Sequence, residues 1–198
     1  MESHAGGRLA PDHLLHVIQL NVFNGMLSNA SLLRLEVDLL ICTSISPFGR
    51  VGPDRRDAPA MSVPPCPANL APTALQLRVP HHPWVDLFPL PRMRDNFLVA
   101  LAGTLSDEDD EQLWNDMMES GPGGGSEWSG LIVWGDPWSP RSWEATLPFL
   151  RRWGWLVEGC PELVESTNHW RRHRGEGWLE FPTGAKAADE ESYIREML

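Results

Sequence analysis

Cysteine is scarce in this chain of 198 residues, where Cys42, Cys66 and Cys160 are the only three. They are odd in number and widely spaced, with no C-x-x-C pair, so neither a disulfide framework nor a structural zinc site is expected. Long apolar runs are lacking too. No stretch approaches the ~18 residues a membrane-spanning helix needs, and Met1-Glu2-Ser3-His4 opens no charged-then-apolar leader. These absences set the expectation of a reduced, intracellular, cytoplasmic protein with free thiols and no membrane partner. Lysine is nearly missing: Lys186 is the sole lysine among 16 basic residues, the others being arginine. The net charge of −11 is the reverse of the basic balance of a general nucleic-acid binder, although it leaves room for a local basic patch. There is no G-x-G-x-x-G, no G-x-S-x-G, no basic region running into leucine heptads and no internal repeat. No cofactor is expected. His81 and His82 lack a third ligand at recognisable spacing, so no metal is expected either.

What is present suits one globular domain. Hydrophobic residues make up 42% of the chain, and ten are tryptophan, a side chain that serves cores, aromatic pockets and stacking platforms alike. Residues 1–11 read as a flexible N-terminus, 12–174 as a single globular domain, and 175–198 as a tail carrying a short amphipathic helix. Asp12 stands as N-cap before an apolar face spaced by three and four residues from Leu14 to Leu27, and Asn29 to Ser31 punctuate before a second helix over Leu32 to Ile41. Residues 46–72 form a proline-rich loop, and Gly121 to Ser126 a flexible linker. Leu75-Gln76-Leu77-Arg78-Val79 alternates as a strand, and Leu131 to Trp134 reads as a buried second strand. Helices are expected from Pro91 to Ala102, from the acidic run after Ser106, from Arg141 to Trp155 and from Pro161 to Arg174. The fold class is mainly α (α+β), a compact helical domain with a small two-stranded β element.

Three proline- and tryptophan-stiffened islands carry most of the chemistry. The first runs from His81 to Asn96, the second is Trp134-Gly135-Asp136-Pro137-Trp138, and the third runs from Cys160 to Trp170. Polar groups on a stiff backbone cost little further entropy to hold in place, so the islands suit a site as well as ordinary core corners. A shared pocket would collect His82, Asp86, Asp95, Asp136 and Asn168. Cys160 precedes Pro161 at a helix start, where the macrodipole favours a thiolate, and is either a nucleophile or a buried cap. His82 and His169 are candidate bases. Glu162, Glu165, Ser166, His169 and His173 share one helical face, which either binds a cationic group or is simply wet. Arg171-Arg172-His173-Arg174 is the one dense basic cluster.

The islands, taken in order, resemble a fungal domain family of uncharacterised function. The resemblance rests on His82-Pro83-Trp84-Val85-Asp86-Leu87 with Pro89, Pro91, Arg92, Met93, Arg94, Asp95 and Asn96. It continues through Leu131 to Trp138 and Trp153-Gly154-Trp155-Leu156, and then Gly159 to Leu163 with Thr167, Asn168, Trp170 and Arg171. Members of that family often follow a bZIP DNA-binding region, and free-standing relatives resemble arginine-containing cyclodipeptide synthases. The resemblance thus implies an aminoacyl-tRNA-dependent transferase of secondary metabolism that joins arginine and a second amino acid into a diketopiperazine. The alternative it implies is a non-enzymatic regulatory domain. With no basic-leucine region after Met1, no sequence-specific DNA binding by this chain alone is expected.

Roles follow from chemistry. The catalytic set is His82, Cys160 and His169, with Ser166 and Thr167 behind Cys160 as nucleophiles. A guanidinium substrate pairs best with carboxylates, which nominates Asp86, Asp95, Asp136 and Glu165, with Trp84, Trp134 or Trp138 stacking on the cation. Arg92 and Arg94 would meet developing negative charge, and Asn96 and Asn168 complete the substrate-binding set. Arg171, Arg172 and Arg174 would hold the tRNA acceptor end.

Overall fold

The computed structural model describes residues 11–36, 44–50, 65–118 and 130–181. Among the described residues there are five helices and one small sheet: α1 (Pro11–Leu32), α2 (Pro91–Gly103), α3 (Asp107–Met118), α4 (Leu147–Trp153) and α5 (Pro161–His173). Strands β1 (Leu131–Val133) and β2 (Trp143–Ala145) pair antiparallel, with Leu131 opposite Ala145 and Val133 opposite Trp143. The class is therefore the mainly α one that the sequence indicates, with a two-stranded β element.

Helix α1 buries Val22, Met26, Ala30 and the following Leu33 against β1 and the 3-10 turn Pro83–Leu87. Gly25 permits the approach, since a Cβ there would stand 3.2 Å from the Pro137 Cβ. Asn29 does not end the helix as expected. It is buried, and its amide donates to the carbonyls of Leu87 (2.8 Å) and Pro137 (2.9 Å), so a polar residue inside a helix is satisfied by two other segments. The second helix expected from Leu32 fails over its described part, because residues 33–36 are turn and coil; residues 37–43 lie outside the described residues.

The expected strand Leu75–Val79 is a helical turn, with Leu77 N–H donating to Thr73 O and Val79 N–H to Leu75 O. Thr73 Oγ1 accepts from Gln76 N–H while Gln76 Oε1 accepts from Thr73 N–H. That is a capping box, and the apparent alternation conceals it. The missing strand is β2, placed where the sequence suggests the start of a helix. Trp143, Glu144 and Ala145 are all buried, so no inside–outside alternation marks them. Thr146 then caps α4 by accepting from Phe149 N–H.

Trp84 packs edge-on to Phe88 and Phe97, and Phe88 in turn to Trp143, which joins the first island to the sheet. Ser166 Oγ donates to Trp143 O (2.6 Å) and Thr167 Oγ1 accepts from Ala145 N–H (2.9 Å), which fixes α5 against β2. The linker at 121–126, most of the proline-rich loop and the final amphipathic segment lie outside the described residues.

Candidate functional site

The first island turns its polar groups inward. The Asp86 carboxylate accepts from Ser46 Oγ (2.6 Å), His81 Nε2 (2.9 Å) and the Gln76 amide. His81 Nδ1 lies 2.6 Å from Val79 O. Arg94 is fully enclosed and donates to Phe88 O (3.1 Å) and Ala71 O (2.8 Å). Burial lowers its pKa to about 10, against the pull of Asp86 and Asp95. The Asn96 amide donates to Leu156 O and Glu158 O, tying α2 to the turn before α5. Asp95 accepts from Thr73 Oγ1, and burial holds its carboxyl above the ordinary range. His82 Nδ1 accepts from Trp84 N–H at the start of the 3-10 turn. Trp84, Asp86, Arg94 and Asn96 are thus enclosed fastenings of the core, with no open side for a substrate.

The second and third islands divide between fastening and surface. Asp136 is exposed and Trp138 half-buried against the core. Trp134 donates to buried Glu144, whose carboxylate also receives both terminal nitrogens of Arg174. The Arg174 guanidinium sits over the Trp134 ring, and its bonds to Glu144 and Glu176 hold its pKa above the ordinary value. Ser166 and Thr167 are engaged with β2, as described. Cys160 is buried at the start of α5 with no cap bond from its side chain, and its Sγ rests 3.9 Å from Glu158 O. Burial, then the negative charge of Glu162, pushes its pKa up to about 12, so desolvation outweighs the helix dipole and the thiol is a poor nucleophile.

An open surface groove of about 1150 Å³ runs along α5. Its floor is the outer side of that helix, with exposed Glu165, His169 and Arg172, half-buried Glu162 and Trp170, and the buried Ser166 at its base. One wall is the corner Ser139 to Ser142, carrying Arg141; Asn69 and Gly159 stand at its edges. Gly159 has φ +70°, in the left-handed region that favours glycine, and lies beside the Arg92 side chain. Trp178 completes the lining, 64% exposed. It is held there by its neighbours: the Asn168 amide donates to Leu179 O (3.0 Å), and Leu179 N–H donates to Asn168 Oδ1 (2.7 Å). Arg171 adds bonds to Gly177 O (2.9 Å) and Glu176 (2.9 Å). Residues 175–181 therefore fold back along α5 as a strap.

Of the sequence-nominated residues, Glu162, Glu165, Ser166, His169 and Arg172 line this groove, although Ser166 is already engaged with Trp143 O. His82, Asp86, Asp95, Asp136 and Asn168 do not line it, and neither do Arg171 and Arg174, which are held by Glu176 and Glu144. Arg141, Asn69 and Trp178 were missed. Arg141 sits in a stretch that reads as a helix, and Trp178 stands alone among glycines with no periodicity to mark it. Trp134 and Pro137 border a smaller recess of about 310 Å³ against α1. Among the described residues no three His, Cys, Asp or Glu side chains are grouped to hold a metal ion, and no helix is long and apolar enough to cross a membrane.

A family model described as Domain of unknown function (DUF3425) matches residues 56–164. The chain belongs to this family. The DUF3425 match takes in the first two islands and ends inside α5, so His169, Trp170, Arg172 and Trp178 lie beyond it. No curated protein and no solved structure matches the chain.

Proposed function

We propose that the chain is an aminoacyl-tRNA-dependent cyclodipeptide synthase that incorporates arginine. The observation that carries this reading is the α5 groove, where two carboxylates, an imidazole and Arg172 on the floor are joined by Arg141 from the wall, around a space large enough for two aminoacyl groups. Glu162 and Glu165 suit the guanidinium of an arginyl group, a planar donor fork that pairs with carboxylates, and Trp178 offers it a stacking face. Arg141 and Arg172 suit the phosphates of a tRNA acceptor end. They replace Arg171 and Arg174 in that role, because those two already serve Glu176 and Glu144. The chain's overall negative charge means that this contact must be local and salt-sensitive.

The chemistry needs little beyond alignment and one base, since an aminoacyl ester is already activated. The amine of one aminoacyl group attacks the ester carbonyl of the other; His169 takes the amine proton and returns it to the departing ribose oxygen. One amide bond forms and one ester bond breaks. A second, intramolecular attack on the remaining ester closes the ring and releases the second tRNA. This direct route is preferred to a thioester on Cys160, whose thiol is buried and protonated.

The second reading is a non-enzymatic regulatory domain of the kind found beside bZIP regions. It is favoured by the exposed apolar residues Val17, Leu20 and Phe23 on α1, a face suited to a protein partner. Expression in a bacterial host, with mass spectrometry of the medium for arginine-containing diketopiperazines, separates the two. Accumulation that falls in Glu165→Gln supports the synthase, and absence of any such product from well-folded protein supports the regulatory domain.

A further inference from the structure

We propose that His169 and His173 form a two-imidazole chelate for a divalent transition-metal ion, such as Zn²⁺ or Ni²⁺, on the open face of α5. The two residues are one helical turn apart on the same side of a regular helix, the spacing at which paired histidines grip one metal ion. Both are exposed, and their ring centres are 4.5 Å apart with planes 60° to each other. Two metal–nitrogen bonds of ~2.0–2.1 Å, at an angle between square and tetrahedral, set two imidazole centres about 4.5–5 Å apart. The rings therefore already stand at chelating separation, and a rotation of each side chain brings a nitrogen of each to a common point.

Neither ring has a hydrogen bond or ion pair within the described structure, so binding breaks no existing polar contact. Their ring neighbours are each other and Trp170, which restricts their freedom and lowers the entropy of chelation. The surrounding positive charge is partly neutralised already. Arg171 pairs with Glu176, and Arg174 with Glu144 and Glu176, which leaves Arg172 as the open guanidinium on this face. No third protein ligand is grouped with the pair, so water fills the remaining positions and the ion stays exchangeable. Imidazole pairs select zinc, nickel or copper over magnesium or calcium.

A consequence follows that rests on the synthase reading. His169 lines the groove while His173 does not. An ion on the pair takes the lone pair that His169 needs as a base, so metal would switch the groove off reversibly.

Untagged protein titrated with Ni²⁺ and with Zn²⁺ by isothermal calorimetry tests the site, alongside His169→Gln, His173→Gln and a His16→Gln control. The expected result is one site per chain in wild type and His16→Gln, weakened at least about tenfold in each of the other two, because the second imidazole acts at high effective concentration. Unchanged circular dichroism shows that the exposed substitutions preserve the fold. Absence of a one-to-one site, or a site indifferent to both substitutions, overturns the proposal. Zn²⁺ inhibition of diketopiperazine formation is read separately, in wild type against His173→Gln. Binding without inhibition removes the link to the groove and leaves the metal site intact.

Discussion

Asn168→Ala should release the strap that carries Trp178 while leaving the core folded. Asn168 is 2% exposed and holds Leu179 through two hydrogen bonds, one in each direction. A net hydrogen bond is worth about 1 kcal/mol, so losing both removes roughly 2 kcal/mol from the strap's docking. The freed Leu179 groups regain water once the strap lifts, so the larger penalty for stranded polar groups does not apply. A loss of 2 kcal/mol raises the opening equilibrium about 30-fold, at 1.4 kcal/mol per factor of ten. Hydrogen exchange at the Leu179 amide should therefore accelerate by that order. Amides in α5 that face the core, such as Leu163, should keep their protection, since the third Asn168 contact is only to Val164 O within the same helix. An unchanged Leu179 amide would refute the clamp. A parallel loss at Leu163 would mean that Asn168 supports the whole helix and not the strap.

Cys160 should resist iodoacetamide in native protein at pH 8, since burial pushes its pKa up to about 12; peptide mapping that finds it labelled before half-buried Cys66 would contradict that. Arg94→Ala should cost about 3–5 kcal/mol in urea unfolding, the range for removing one partner of a buried charged network, because Phe88 and Ala71 lose their donor and Asp86 its nearby cation; a loss below about 1 kcal/mol would show the guanidinium to be replaceable by water. Asp95 has a folded pKa raised by burial, so its contribution is most favourable below the ordinary carboxylate pKa and is lost as pH rises through the folded value. Asp95→Asn, which keeps an acceptor for Thr73, should therefore raise the melting temperature at pH 7 more than at pH 3, and an equal shift at both would show that burial of the charge is not the cause.

Helices α2, α3 and α5 were legible because each has a local start signal: proline in the first turn of α2 and α5, and the Ser106–Asp109 cap before an acidic run in α3. Helix α1 was legible from its apolar spacing but not in its length, since Asn29 is a breaker only until tertiary partners satisfy it. Strand β2 was hidden because all three residues are buried, and the Thr73–Gln76 turn because the five residues Leu75 to Val79 can alternate by chance. Within the candidate site, α5 showed its shared Glu165–His169 face at helical spacing. Sequence does not reveal which polar side chains turn inward, and the first island illustrates the cost: Asp86, Arg94 and Asn96 look like a site until their carbonyl and hydroxyl partners from residues 46 to 158 are known. Arg141 and Trp178 reach the groove only through tertiary contacts, from the corner before β2 and from the strap beyond α5.

The proposed chemistry in the α5 groove is direct transfer without a covalent enzyme intermediate. Purified protein incubated with radiolabelled arginyl-tRNA and a mixture of other aminoacyl-tRNAs tests it most directly, with labelled diketopiperazine measured for wild type, Cys160→Ala, Glu165→Gln and His169→Gln. Direct transfer should give product from wild type, a near-normal rate from Cys160→Ala, and losses of about 10²-fold or more from His169→Gln, the lower range for a general base. Glu165→Gln should lower the rate chiefly at limiting arginyl-tRNA. Activity abolished in Cys160→Ala and retained in His169→Gln would contradict direct transfer with His169 as base.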